Sequence, residues 1–159
     1  MHGKLKIYPK LDLVFNEHPN GYPSVAIYFC GCSIKCENCH NKFLQNKNNP
    51  DCVEITSKNL FEWINFYANS FGIKNVILLG GEPQEQDKES LKYLLTMLKN
   101  NGYSTGIYTG RDTVEQEFIE LIDWAKIGKY NANLINKKEK LGNKNNFLAT
   151  LNQSFVFFT

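Results

Sequence analysis

The sequence contains no long apolar segment. No stretch of its 159 residues approaches the roughly 18 apolar residues that a membrane-spanning helix requires. The opening segment MHGKLKIYPKLDLVF lacks an apolar run that ends in small residues, so it does not resemble a secretory signal. The net charge of +2 by itself argues neither for nor against nucleic acid. We therefore expect a cytoplasmic protein, with neither a membrane nor a nucleic acid as its partner.

The chain lacks an even number of cysteines, since it has five. Thiols stay reduced in the cytoplasm, and a chain of this length can form one proper core without covalent staples. A disulfide framework is therefore the weakest interpretation of the cysteines. Cys30 continues an apolar strand, where cysteine is most often a small buried hydrophobe. Cys52 lies in a polar loop, and we expect it to be a bystander.

The sequence also lacks internal repeats and linkers, so residues 1–159 are expected to form a single domain. Four apolar, β-rich runs alternate with segments of helical periodicity: SVAIYFC, NVILLGG, STGIYTG and AKIGKY. This alternation indicates βαβ units. It predicts an α/β fold, a small open partial (β/α) barrel with a mainly parallel sheet.

The predicted helices have recognisable ends. The first is expected to begin with Ser57 as its N-cap and to end at Gly72, and the second to end at Gly102. Asp112 and Glu115 form a capping-box-like start for the third. SFVFF, near the end of the chain, is predicted to be an edge strand, and residues 131–146 a loop rich in Asn and Lys.

Four distinctive segments follow the carboxyl ends of the four predicted strands. They are the cysteine loop, GGEP (80–83), YTG (108–110) and Gly128-Lys129. Ligands of open parallel α/β folds bind at this edge of the sheet. The sequence therefore predicts that the four segments share one site.

The cysteine loop CGCSIKCENCHN (30–41) holds Cys32, Cys36 and Cys39 in the spacing C-x-x-x-C-x-x-C. A structural zinc site needs four closed ligands, and a fourth could come only from Cys30 or His40 in the same cramped loop. A 4Fe-4S cluster normally takes four thiolates, so three would leave one iron open to substrate or cofactor. The spacing favours the cluster, with zinc as the alternative.

This spacing at the end of a first strand, followed by GGEP after a second, resembles the radical S-adenosylmethionine superfamily. In that superfamily S-adenosylmethionine chelates the open iron, and an electron from the cluster cleaves it to methionine and a 5′-deoxyadenosyl radical. Cys39-His40-Asn41 resembles the C-H-N of glycyl-radical-enzyme activases. The YTG segment, Gly128-Lys129-Tyr130 and Asn152-Gln153 resemble the activating enzymes of anaerobic ribonucleoside-triphosphate reductase.

The resemblance implies two sets of site residues and no catalytic residue beyond the cluster and its cofactor. The cluster ligands are Cys32, Cys36 and Cys39, and the cofactor-binding residues are Asn38, His40, Gly80, Gly81, Glu82 and Lys129. Many relatives have N-G-P-G before the first strand, where this chain has Pro19-Asn20-Gly21-Tyr22-Pro23.

The resemblance also implies partners. They are the glycyl radical subunit of anaerobic ribonucleoside-triphosphate reductase and a flavodoxin- or ferredoxin-like electron donor. Two alternatives stay open: a radical enzyme acting on a small molecule, such as a deazaguanine synthase, and a noncatalytic zinc-binding adaptor.

Overall fold

The computed structural model describes residues 3–34, 42–129 and 152–158, which form one seven-stranded sheet. The strands lie in the spatial order β3-β1-β2-β4-β5-β6-β7. Their bounds are β1 Lys4–Val14, β2 Ser24–Phe29, β3 Val53–Thr56, β4 Asn75–Gly80, β5 Ser104–Tyr108, β6 Trp124–Ile127 and β7 Ser154–Phe157. Within the described ranges, no helix is long and apolar enough to span a bilayer.

The four central strands β2, β4, β5 and β6 run parallel, as the four apolar runs predict. The edge strands differ, because β1 is antiparallel to β2 and β3, and β7 is antiparallel to β6. The α/β open sheet is confirmed, but it is mixed and has parallel pairing only at its centre. The predicted edge strand near the end of the chain is β7, and the predicted loop 131–146 lies outside the described residues.

β1 and β3 have no counterpart in the sequence-based prediction. Leu5, Ile7 and Leu11 are buried along β1, but the register shifts between Ile7 and Leu11, around the exposed Pro9. A bulge of this kind adds a residue to one strand and interrupts the alternation of apolar and polar positions. Proline is compatible with such a bulge because it need not donate a ladder hydrogen bond. The interruption hides the strand from a periodicity argument.

Helices α1 (Ser57–Phe71), α2 (Lys88–Asn100) and α3 (Gln116–Ile119) pack on one face of the sheet. Gly72 ends α1 in the left-handed conformation, with φ of 68°. The N-cap is Thr56, whose hydroxyl accepts from the Asn59 N–H at 3.2 Å. Ser57, the predicted cap, is instead the first helical residue, and its hydroxyl donates to the carbonyl of Ser90 at 2.6 Å.

The third helix is shorter than predicted and begins at Gln116 rather than near Asp112. In a capping box the backbone N–H of Glu115 would donate to the Asp112 side chain. Here that N–H donates to the Gln84 Oε1 atom at 2.8 Å, so a side chain from another loop occupies the donor. A tertiary contact thus overrides the local signal for a helix start.

The two faces of the sheet are covered differently. The main apolar core lies between the sheet and the helices, and every helix contributes to it. The opposite face carries a smaller buried cluster of Ala26, Ile77, Leu79 and Trp124, drawn from strands alone. Because no described helix contributes to that cluster, we call this side the helix-free face.

Candidate iron–sulfur and cofactor site

The loop after β4 runs beside the start of the cysteine loop at the carboxyl edge of the sheet. The N–H of Gly81 donates to the carbonyl of Phe29, and that of Glu82 to the carbonyl of Gly31, both at 2.8 Å. These bonds extend the parallel pairing of β2 and β4 past the ends of the strands. The GGEP segment and the first residues of the cysteine loop therefore lie together, as predicted.

Cys32 is fixed from its other side by the segment that returns from the cysteine loop. Its N–H donates to the carbonyl of Gln45 at 2.9 Å, and Gly31 donates to the carbonyl of Leu44 at 2.6 Å. The half-buried Cys32 thus lies between two backbone segments at the sheet edge. The other two predicted ligands, Cys36 and Cys39, lie outside the described residues, as do Asn38 and His40. Within the described ranges no three metal-binding side chains cluster, so the ligand set stays a prediction.

Cys30 and Cys52 form a disulfide, with their Cα atoms 6.5 Å apart. The prediction that Cys52 is a bystander is therefore wrong, and a disulfide, the weakest interpretation of the cysteines, does account for this pair. The expected burial of Cys30 is confirmed at 1% exposure. An odd cysteine count does not exclude a single pair, and the topology creates this one. Ile7 of β1 pairs with Phe29 on one side and with Val53 on the other, which brings the neighbouring cysteines together.

Gly80 and Gly81 are required by close backbone contacts within the chain. A Cβ atom on Gly80 would lie 2.6 Å from the Phe29 nitrogen, and one on Gly81 would lie 2.5 Å from the Gly31 carbonyl oxygen. Gly80 also has φ of 109°, which L-residues rarely adopt. Both glycines therefore let the GGEP loop approach the cysteine loop. Their predicted contact with the cofactor is a separate role.

Glu82 is fully buried, and both its carboxylate oxygens accept hydrogen bonds. Oε1 accepts from the Gly110 N–H at 2.8 Å, and Oε2 from the Thr109 hydroxyl at 2.8 Å and the Gln84 N–H at 3.1 Å. Burial raises the pKa of Glu82, while these hydrogen bonds oppose the rise. The carboxylate joins the GGEP segment to the YTG segment, so these two predicted segments also meet.

The three residues after Pro83 make contacts within the site that the sequence did not predict. Gln84 donates to the Thr109 hydroxyl at 2.8 Å, and Gln86 donates to the carbonyl of Cys30 at 2.9 Å. The Glu85 carboxylate accepts from the N–H of Ser33 and, at 2.7 Å, from its hydroxyl. The sequence does contain a signal for these contacts, because three consecutive long polar side chains follow GGEP at the predicted edge of the site. Together they connect the cysteine loop to β5.

The fourth predicted segment, Gly128-Lys129, lies beside Asn152 and Gln153. Gly128 has φ of 107° and donates to the carbonyl of Arg111 at 2.9 Å. The exposed Lys129 accepts at its carbonyl from the Asn152 amide at 2.7 Å, and Gln153 donates to the Gly128 carbonyl at 3.2 Å. Lys129 is thus placed at the carboxyl end of β6, with its ammonium directed to no described partner.

A family model described as a 4Fe-4S single cluster domain matches residues 20–149. The anaerobic ribonucleoside-triphosphate reductase-activating protein of Enterobacteria phage T4 is 28% identical over 127 residues, which are 76% of this chain and 80% of the phage protein. The 7-carboxy-7-deazaguanine synthase of Clostridium acetobutylicum is 37% identical over 68 residues, 43% of this chain and 28% of the synthase.

Among solved structures, QueE from Escherichia coli has a similar fold. The TM-score is 0.58 at 23% identity, and the match covers 69% of this chain and 54% of the QueE chain. The chain thus spans about half of that structure and less than a third of the clostridial synthase. The similarity supports the open partial-barrel sheet predicted from the alternating strands and helices.

Proposed function

This chain belongs to the 4Fe-4S single cluster domain family, and on that premise we propose that it installs a glycyl radical on an anaerobic ribonucleoside-triphosphate reductase. The broader prediction is confirmed: the chain is an iron–sulfur enzyme of the radical S-adenosylmethionine superfamily, with a 4Fe-4S cluster and S-adenosylmethionine as cofactors. The specific substrate is the part that we propose.

One observation carries the choice of substrate. The similarity to the phage activating protein extends over most of both chains, 76% of this one and 80% of the other. The alignment with the clostridial synthase is more identical but covers only 43% of this chain. A short alignment is what the shared cluster and cofactor segments alone would produce. The longer one, over 127 residues, is too long to consist of those segments alone, and so supports a protein substrate.

The described residues fit the two cofactors. Cys32 lies half-buried at a sheet edge where two glycines allow neighbouring loops to come into close contact. We propose that Cys32, Cys36 and Cys39 hold the cluster. When bound, the cluster supplies the electron that cleaves S-adenosylmethionine and so generates the species that removes a hydrogen atom from the substrate. In this proposal the carboxyl edge of the sheet orients these groups.

Two further residues have proposed roles towards S-adenosylmethionine. The exposed ammonium of Lys129 is suited to pair with the cofactor carboxylate. Lys129→Ala should weaken cofactor binding about tenfold to a hundredfold while the cluster still assembles. Glu82 accepts hydrogen bonds from Gly110 and Thr109, and we propose that this joined edge of the GGEP and YTG segments is where the cofactor amino group binds. Anaerobic calorimetry on the reconstituted Lys129→Ala variant measures the first of these effects.

The test of the function is a mixture of the reduced holoprotein, S-adenosylmethionine and an anaerobic ribonucleoside-triphosphate reductase from the same organism. We expect a glycyl-type doublet by electron paramagnetic resonance, which disappears when the reductase glycine is replaced by alanine. The holoprotein should contain about four irons and no stoichiometric zinc. Replacing Cys32, Cys36 or Cys39 by serine should abolish the doublet. Stoichiometric zinc without iron would instead indicate the adaptor function.

The second candidate is a radical enzyme that acts on a small molecule. The 37% identity to a deazaguanine synthase and the QueE-like sheet favour it. The same mixture distinguishes the two functions. A preparation that cleaves S-adenosylmethionine and converts a small heterocycle, yet never gives the doublet, would replace the activase proposal.

A further inference from the structure

The helix-free face presents a row of side chains next to the carboxyl edge of the sheet. Strand register places Tyr28 beside Leu79, Tyr108 beside Lys126, and Lys126 beside Phe155. The walls of this row are aromatic and aliphatic. A lysine in its middle is unexpected, because lysine is almost never buried without a partner.

Lys126 is 7% exposed, and its ammonium lies 4.0 Å from the centroid of the Tyr108 ring. No residue in the described ranges offers it a hydrogen-bond acceptor or an ion pair. The Glu17 carboxylate acts on the ammonium electrostatically, but its described hydrogen bond is to Tyr108. The Tyr108 hydroxyl donates to the Glu17 Oε2 atom at 2.7 Å and contacts the Glu17 carbonyl. The ammonium thus keeps its three donors for a group that enters the row.

Trp124, two residues earlier on the same face of β6, also lacks an acceptor. Its indole N–H is buried and has no hydrogen-bond partner among the residues the structure describes. The ring lies over Gly106, where any Cβ would come within 2.0 Å of it. His18 at 5.3 Å and Phe155 at 5.9 Å pack against the ring at steep angles. The orientation of the indole is therefore fixed by its surroundings.

The local charges indicate which acceptor would fit. Asp12 hydrogen-bonds Tyr28, and both Asp12 and Glu17 act on the same row as Lys126. Burial lowers the pKa of His18, which favours its neutral form. Two carboxylates and one ammonium would repel an added carboxylate. A neutral oxygen acceptor between apolar walls avoids that repulsion, and a peptide carbonyl is such an acceptor.

We propose that Lys126 and Trp124 form an acceptor-binding subsite that takes a backbone carbonyl of the polypeptide segment presenting the glycine. This inference rests on the proposed function, since it requires a polypeptide substrate. The row lies at the last residues of β2, β4, β5 and β6. A chain bound there would pass directly under the edge where Cys32 and Glu82 lie.

The test measures binding rather than turnover. A short synthetic peptide copied from the glycyl segment of the reductase is titrated by anaerobic calorimetry into the holoprotein with S-adenosylmethionine. Lys126→Met should weaken peptide binding about tenfold or more, the effect expected for losing a charged donor. Lys74→Met is the matched control, because Lys74 lies 4.9 Å from the Tyr103 ring but is exposed. It should leave peptide affinity unchanged.

Trp124→Phe provides a second variant that keeps an aromatic ring and removes only the indole donor. We expect about a threefold to tenfold loss of peptide affinity, as for a neutral hydrogen bond. Both variants are checked for folding by circular dichroism, and if Lys126→Met does not fold, Trp124→Phe alone decides. Unchanged affinity in the folded variants would overturn the subsite.

The remaining outcomes separate the subsite from the proposed function. If benzoate binds the holoprotein in a Lys126-dependent manner and the peptide does not, the subsite is for a small carboxylate and the proposal is wrong. If the wild-type protein gives the reductase doublet while Lys126→Met binds the peptide normally, the subsite fails and the proposed function stands. If the wild-type protein binds no peptide and gives no doublet, the proposed function itself fails.

Discussion

The helix-covered and helix-free faces of the sheet bury different kinds of groups. Against the helices the core is made of aliphatic and aromatic side chains from strands and helices alike. On the other face, buried Leu79 and Trp124 have the buried Lys126 and the half-buried Tyr28 and Tyr108 as neighbours. The first face is what any α/β protein needs to fold. The second retains polar groups that cost stability, as functional sites commonly do.

Each face has a tyrosine with a lysine over its ring, which makes the contrast specific. On the covered side Tyr103 donates to the Asn65 amide oxygen at 2.6 Å, and its partner Lys74 remains exposed. On the helix-free side Tyr108 donates to the charged Glu17, and Lys126 is buried. The lysine–tyrosine contact is therefore solvated on the covered side, at Lys74 and Tyr103. On the helix-free face, at Lys126 and Tyr108, the lysine charge is desolvated.

Adjacent leucines of β4 test which face holds the fold together. Leu78→Ala, on the covered face, should lower the free energy of unfolding by about 3–4 kcal/mol, because a cavity forms among packed helices. Leu79→Ala, on the helix-free face with 6% exposure, should cost about 2 kcal/mol, since solvent can partly fill the space. Urea unfolding followed by circular dichroism measures both. Equal losses would remove the distinction between the faces.

The buried ammonium should make stability depend on pH. Burial lowers the pKa of Lys126 from 10.5 to about 8. Below pH 8 the group is charged in both states, so the folded state carries the full desolvation penalty, of about 3 kcal/mol. The penalty disappears as the pH rises from 8 to 10.5, because the unfolded chain then binds the proton more tightly. Wild-type protein should therefore gain stability relative to Lys126→Met over that interval.

The measurement is urea unfolding of both proteins between pH 7 and pH 10.5. Burial also raises the pKa of Tyr108 and of Tyr28, but both tyrosines are present in each protein and their effects cancel in the difference. A difference between the two proteins that does not change with pH would show that Lys126 is solvated in the folded state.

Removing one hydroxyl from each face gives a smaller contrast. Tyr108→Phe should cost about 2 kcal/mol, because it removes a hydrogen bond to the carboxylate of Glu17. Tyr103→Phe should cost about 1 kcal/mol, because its acceptor is the neutral amide of Asn65. Both values come from chemical denaturation at pH 7. A larger cost for Tyr103→Phe would mean that the polar network on the helix-free face adds little to stability.

The sequence predicted what depends on local pattern and on the general rules of parallel sheets. The four apolar runs gave the central strands, and the carboxyl-end rule placed Gly81, Glu82 and Gly110 next to one another. Features that depend on distant residues were missed. The bulge near Pro9 disguised β1, and the Cys30–Cys52 bond follows from β1 lying between β2 and β3.

The same reason explains what was missed on the helix-free face. The sequence predicts Lys126 only as part of a short strand, because nothing in a single strand shows which of its faces the helices cover. Lys126 lies on the helix-free face because α1, α2 and α3 pack on the opposite face of the sheet. The burial of Lys126 and the orientation of Trp124 over Gly106 then follow from the register with β5.

The smallest expected effect on stability concerns the carboxyl edge, where the two faces meet. The Glu85 carboxylate receives the N–H and the hydroxyl of Ser33, the residue after Cys32, and all of these groups are exposed. Glu85→Gln should therefore change the free energy of unfolding by only about 0.5 kcal/mol. Its local effect should be larger, because one of the two oxygens that hold the cysteine loop becomes a donor.

We expect the Glu85→Gln holoprotein to lose iron to a chelator severalfold faster than wild type, with faster hydrogen exchange at the Ser33 amide. Glu89→Gln is the matched control, since Glu89 is also exposed and its carboxylate lies 3.8 Å from the ammonium of Lys92 on α2. It should release iron at the wild-type rate. If both variants lose iron equally fast, then overall charge rather than the contact with Ser33 governs cluster retention. If neither differs from wild type, the cysteine loop holds its cluster without help from the turn after GGEP.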